Sequence, residues 1–237
     1  MMPAWPLLVA LQFLTVLPLR LPPPSATALA RSLCWYPLVG ALLGAVLWAL
    51  SMMLGDAPAP LRAALLLAAW ALMTGFLHLD GLADCADAWI GGRGDRERTL
   101  AIMKDPRAGP AAIVTLLLVV LLKFAALQAV APAAALVAVP MLARASAPVL
   151  FATTRYVRPG GLGSAMASAQ CSSAFLVAGL SVALACAIGA AAAAVAAILV
   201  LVLVRTAAQS RLGGFTGDVA GAAIEIIEAA ALLALTV

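Results

Sequence analysis

The chain has 237 residues, of which 65% are hydrophobic and only 10% charged, and its formal net charge is +4. A soluble domain carries roughly a quarter charged residues, so this composition, with a mean hydropathy of +1.12, points to a polytopic helical membrane protein and leaves no room for a large soluble domain. No basic run interleaved with aromatics accompanies the positive surplus, which argues against nucleic acid as a partner and for charge that sets orientation in a bilayer.

Residues 5–19 are apolar but carry Gln12 and end at Pro18. At about 14 residues they fall short of the roughly 20 needed to cross as a helix, and fit a re-entrant or interfacial segment. No basic n-region or small-residue cleavage site is present, so no removable signal peptide is expected. A proline-rich connector at 21–24 follows, with Ser25 as N-cap of the next helix. Spans then read as 34–54, 61–79, 110–130 and 133–152. A polar, glycine-bearing loop carries Arg155, Arg158, Pro159, Gly160 and Gly161.

As one helix, residues 169–207 would be about 58 Å long, roughly twice the hydrocarbon thickness. Two spans meeting near Gly189 fit better, and a last span begins near Val219. The expectation is all-α: a polytopic membrane bundle with about seven crossings plus the short first segment, forming a single unit over residues 1–237. With the hairpin at Gly189, the cations at Arg20 and Arg31, at 93–107, at Arg155 and Arg158, and at Arg205 and Arg211 all fall on one side. By the positive-inside tendency that side is cytoplasmic. Lys123 and Arg144 fall within nominal spans and either snorkel or point inward. The four cysteines occur singly and read as packing residues. Gly40, Gly44 and the alanine tract at 190–194 read as close helix contacts.

Nine of the ten carboxylates lie in two windows: Asp80, Asp84, Asp87, Asp95, Glu97 and Asp105, then Asp218, Glu225 and Glu228. Beside apolar spans such groups are expensive, about 2.5 kcal/mol or more each at a bilayer centre, and mark helix ends, wet cavities or a bound cation. On one helix Asp84 and Asp87 lie about 40° and 20° from the direction of Asp80. Three acids on one stripe repel unless a cation intervenes, and hard oxygen donors suit Mg²⁺. The glycine- and arginine-bearing stretch 91–109 offers cations for a pyrophosphate. In the second window Asp218 is either a ligand or a helix cap. Glu225 and Glu228 need a cation, a partner arginine or a polar cavity. His78, the sole histidine, divides evenly between a chemical role and packing.

The run Phe76-Leu77-His78-Leu79-Asp80-Gly81-Leu82-Ala83-Asp84 resembles the cobalamin synthase family. So do Ile102-Met103-Lys104-Asp105-Pro106-Arg107-Ala108-Gly109, Gly214-Phe215-Thr216-Gly217-Asp218 with Gly221, Ala222 and Glu225, and the opening residues 11–18. The match runs in order along essentially the whole chain. Phe215 and Pro106 are mild departures that remove no ionisable group. The resemblance implies an Mg²⁺-dependent adenosylcobinamide-GDP ribazoletransferase in the cell inner membrane, its site facing the cytoplasm. Its partners would be adenosylcobinamide-GDP, α-ribazole or its 5′-phosphate, and the lipid bilayer, with homo-oligomer formation left open.

On that reading His78, Asp80 and Asp84 are catalytic, and Asp80, Asp84, Asp87 and Asp218 hold the metal. Arg93, Lys104, Asp105, Arg107, Thr216 and Glu225 contact substrate or its phosphates. Two competing readings are weaker. A CDP-alcohol phosphatidyltransferase lacks its arginine after Asp84 and its GxxxDxxxD run. A cation transporter would place its acids nearer the midplane.

Overall fold

A computed structural model describes residues 5–130, 132–168 and 173–236. Its helices are α1 (Trp5–Leu14), α2 (Ala26–Ser32), α3 (Tyr36–Leu54), α4 (Ala59–Met73), α5 (Leu77–Gly91) and α6 (Arg96–Ile102). They continue as α7 (Pro110–Ala129), α8 (Pro132–Thr153), α9 (Gly161–Ala167), α10 (Ala174–Ala187), α11 (Ala191–Leu212) and α12 (Gly217–Ala234). The described residues contain no strand, so the all-α expectation holds.

Local signals set several boundaries. Ser25 caps α2 by accepting from the Ala28 N–H at 3.2 Å. α2, a short 3-10 turn and α3 run on as one apolar stretch, Ala26–Leu54, longer than the sequence suggests. The expected break near Gly189 is present: α10 ends at Ala187, Gly189 takes φ +85°, and α11 begins at Ala191. A left-handed φ of this kind costs glycine nothing and most other residues about 1–2 kcal/mol.

The count of seven crossings is revised. Among the described residues four segments are long and apolar enough to span: Ala26–Leu54, Pro110–Ala129, Ala134–Thr153 and Ala191–Leu212. A fifth arises if α4 and α5 are one broken span. The expected span at 61–79 fails because the chain bends by 88° between α4 and α5. Gly75 and Phe76 both take left-handed dihedrals there, φ +58° and +61°. α10 has 14 residues, about 21 Å of helix, which is short for a crossing. α12 has 18 residues but carries Asp218, Glu225 and Glu228. α1, at 10 residues, is the short segment expected.

α12 is the central element. It packs on α5, α7, α8 and α11, while α8 lies along α3. Gly40 and Gly44 permit that last contact, since a Cβ on either would overlap the backbone carbonyls of Pro140 and Leu136. Lys123 and Arg144 are buried and point inward, which settles the choice left open above. Cys85 and Cys186 are free thiols. Cys34 is disulfide-bonded, which departs from the packing role expected of it.

Candidate active site

The two acid windows meet where α5 crosses the start of α12. At Gly81 an added Cβ would lie 2.8 Å from the carbonyl oxygen of Asp218, and at Gly221 it would lie 3.4 Å from the Cα of His78. Small residues on both helices therefore set how near the carboxylates come. The tight turn at Gly75-Phe76 restarts the helix so that Asp80, Asp84 and Asp87 all fall on α5.

Whether Asp218 caps its helix is decided by Thr216. Its hydroxyl accepts from the Val219 N–H at 3.3 Å, making Thr216 the N-cap. Asp218 is thereby left to face the cavity, where the positive helix terminus favours a carboxylate. Fully buried, Thr216 acts through the helix start it secures.

A cavity of about 220 Å³ sits at this crossing, lined by His78, Asp80 and Asp218 among aromatic side chains including Phe13, Tyr36 and Tyr156. Asp84 lies one helical turn beyond Asp80, and Asp218, Asp80 and Asp87 all act on it electrostatically, opposed by Arg158. Arg158 pairs with Asp218 at 2.8 Å. Neither Asp80 nor Asp84 has a hydrogen-bonded or ion-paired cation among the described residues. His78 is buried and its Nδ1 has no partner there.

Asp87 is engaged differently. Its two oxygens accept from the Gly109 N–H and, at 3.0 Å, the Ala112 N–H, so it holds the start of α7. Among the described residues no group of three or more acid, histidine or cysteine side chains is arranged to enclose a metal. That does not disqualify Mg²⁺, which usually takes one or two carboxylates and fills its shell with water and substrate phosphate. The hard oxygens of Asp80, Asp84 and Asp218 fit it chemically.

The residues expected at the phosphates scatter. Arg107 forks onto Asp105 at 2.9 and 2.6 Å in an exposed loop. The hydrogen bonds from Arg107 hold the Asp105 carboxyl down at about 2. Arg93 and Lys104 are exposed. Glu225 is not brought to the rim: it accepts from Lys123 Nζ at 2.7 Å inside the bundle. Glu228 accepts from Lys123 and from Arg144, so the deeper glutamates find the cations they need. Lys123 also lies 4.9 Å from the Trp70 ring centroid.

Sequence reasoning used Arg155 and Arg158 only for topology and passed over Tyr156. The chain pins this loop to the second window: Phe215 N–H donates to the Arg155 carbonyl and Val157 N–H to the Phe215 carbonyl, both at 2.9 Å. Tyr156 stacks on Phe151 and meets Phe215 edge-on, with centroids 5.9 and 5.3 Å apart. Burial raises its phenol above its usual pKa, so it stays a neutral donor. The available signal was a cation pair flanking an aromatic, immediately before a glycine turn.

Fold and site together define a multi-pass helical membrane protein with an acid-rimmed cavity at the meeting of two helix ends. A family model described as cobalamin-5-phosphate synthase matches residues 6–236, and the chain belongs to that family, as its motifs indicated. A Pseudomonas fluorescens (strain SBW25) protein named adenosylcobinamide-GDP ribazoletransferase is 51% identical over 243 residues, covering 99% of each chain. A protein of the same name from Pseudomonas aeruginosa (strain UCBPP-PA14) is 52% identical, covering 97% of this chain and 96% of the relative. No solved structure matches.

Proposed function

We propose that residues 1–237 act as one membrane-embedded adenosylcobinamide-GDP ribazoletransferase, dependent on Mg²⁺ and working at the cytoplasmic face of the inner membrane. The observation that carries this reading is the meeting of Asp80 and Asp84 with Asp218, from windows far apart in the sequence, with the Arg158 guanidinium among them. The near full-length identity to proteins bearing that name supports it.

In the reaction a ribose hydroxyl of α-ribazole, or of its 5′-phosphate, attacks the phosphorus on the cobinamide side of the diphosphate. A new P–O bond forms, the bridging P–O bond breaks, and GMP departs with the bridging oxygen. Such transfers need an in-line nucleophile and neutralised charge more than covalent help from the protein. Asp80, Asp84 and Asp218 would hold Mg²⁺, with Asp87 steadying the neighbouring helix. When bound, the ion neutralises charge on the diphosphate oxygens. His78 or one of the rim carboxylates takes the hydroxyl proton, and the unpartnered Nδ1 of His78 beside the cavity suits that role. The aromatic walls suit the flat base of the acceptor nucleoside.

The test is GMP release from adenosylcobinamide-GDP and α-ribazole by protein purified in detergent. Release that stops on chelation and returns with Mg²⁺ is expected. No release under any metal condition, together with cation flux in liposomes, would replace this reading with transport.

A further inference from the structure

Beyond the acid cavity, Tyr156 also lines a second one, of about 480 Å³, whose walls carry Arg96, Arg155 and Arg158. Three guanidiniums converge there, two from the loop around Tyr156 and one from the start of α6, far away in sequence. Cations on this side of a membrane protein are expected from orientation alone, but orientation does not gather them round one hollow. Arg93 and Arg98 are equally basic and line none of the cavities described here.

The three differ in how far they are committed. Arg96 uses its Nε on the Leu212 carbonyl at 2.7 Å. Arg158 gives one nitrogen to Asp218 at 2.8 Å and another to the Met103 carbonyl at 3.2 Å. Arg155 is held only by its backbone, through Phe215, and its guanidinium has no partner among the described residues. With five N–H donors per arginine, most of the donor capacity of these three has no partner among the described residues. Asp218 cancels one of the three charges, leaving a surplus of about two.

We propose that this arginine chamber binds the diphosphate of the activated donor, with Arg155 and Arg158 as its principal contacts and Arg96 at its edge. The proposal rests on the transferase reading above. A diphosphate esterified at both ends carries about two negative charges near neutral pH, which matches the surplus, and guanidinium forks suit phosphate oxygens geometrically. Tyr156 separates the two hollows, so the phosphorus under attack lies at the boundary where Arg158 meets Asp218. The phosphate role expected of Lys104 and Arg107 passes to Arg155 and Arg158.

The test is GDP binding to the full-length protein in detergent with EDTA present, followed by calorimetry, so that no metal contributes. Wild type is expected to bind, Arg155→Gln to weaken binding about tenfold, Arg155→Lys to fall between, and Arg62→Gln, at the far side of the bundle, to leave it within about twofold. In turnover, Arg155→Gln should raise KM for the GDP-activated donor and leave KM for α-ribazole unchanged. A lost fold would not produce that split.

Undiminished GDP affinity and donor KM in Arg155→Gln would overturn the chamber while leaving the transferase reading intact. So would a wild type that makes cobalamin yet binds no GDP. Phosphatidylglycerol that displaces GDP at equimolar amounts would assign the arginines to a lipid headgroup and equally overturn it.

Discussion

Glu225 and Glu228 in the middle of the bundle, and Asp218 with Asp80 and Asp84 at its rim, lie on α12 and the helix it crosses, yet their charge is met by opposite means. Inside, two glutamates face Lys123 and Arg144, and the four charges cancel. At the rim, the three aspartates have one ion-paired cation among the described residues, Arg158 on Asp218. A buried ion network must be balanced by the chain itself, because several kcal/mol per ion is lost on leaving water. A rim that keeps its charges unbalanced is retained for something from outside. Residue type does not separate structure from function here; the local sum of charge does.

Removing one member from each group tests that contrast most directly. Glu228→Gln leaves Lys123 and Arg144 short of a counter-charge and should cost about 3–5 kcal/mol, read as a lower thermal transition in detergent. Activity should fall only as far as folded protein is lost. A double change of Arg144 and Glu228 to Met should cost less than either single change, and equal costs would undo the picture of a self-balanced network.

Asp84→Asn should do the reverse. Turnover should drop by about 100-fold or more, while the thermal transition stays level or rises, since a like charge is removed beside Asp80 and Asp218. A near-normal rate would sink the metal role.

Gly81→Ala comes next in size. The new methyl meets the Asp218 backbone at 2.8 Å, so α5 and α12 must part, at about 1–3 kcal/mol. The expected signature is loss of activity beyond loss of stability, because the rim geometry depends on that spacing. If rate and stability fall in proportion, the crossing is merely packing.

The smallest effect belongs to the exposed pair Asp105–Arg107. The folded pKa of Asp105, about 2, lies below its ordinary value of 3.8. Any stability it adds is therefore complete above about pH 4 and is lost as pH falls through 2. Arg107→Gln should return the Asp105 titration toward 3.8 by NMR and leave the thermal transition at pH 7 unmoved, as expected for a solvated pair. A strong loss of activity in that variant would restore Arg107 to the phosphates.

Much of the site was legible. The windows around Asp80 and Asp218, the break at Gly189 and the cation requirement of Glu225 and Glu228 all follow from the cost of charge in hydrocarbon and from helix length. The two full spans expected on either side of Gly189, however, reduce to one, α11, because α10 is short. The span at 61–79 was misread because a hydropathy pattern is blind to a chain reversal. Nothing in the apolarity of 61–79 marks the left-handed pair Gly75-Phe76. Asp87 was read as a ligand because it shares a stripe with Asp80. Only the packing of α7 shows that both its oxygens are already given to backbone N–H groups.

By itself the sequence determined that this chain lives in a membrane as helices, and that its acids gather in two windows. Its motifs determined its family, because composition and order along the chain are properties of the chain alone. The partner of each charge was decided only by the tertiary structure: Lys123 and Arg144 for the deep glutamates, Arg158 for Asp218, and, among the described residues, no ion-paired cation for Asp80 or Asp84. Pairing depends on distance through space, and the bend at Phe76, the cap at Thr216 and the bridge from Arg155 to Phe215 set those distances between stretches far apart in sequence.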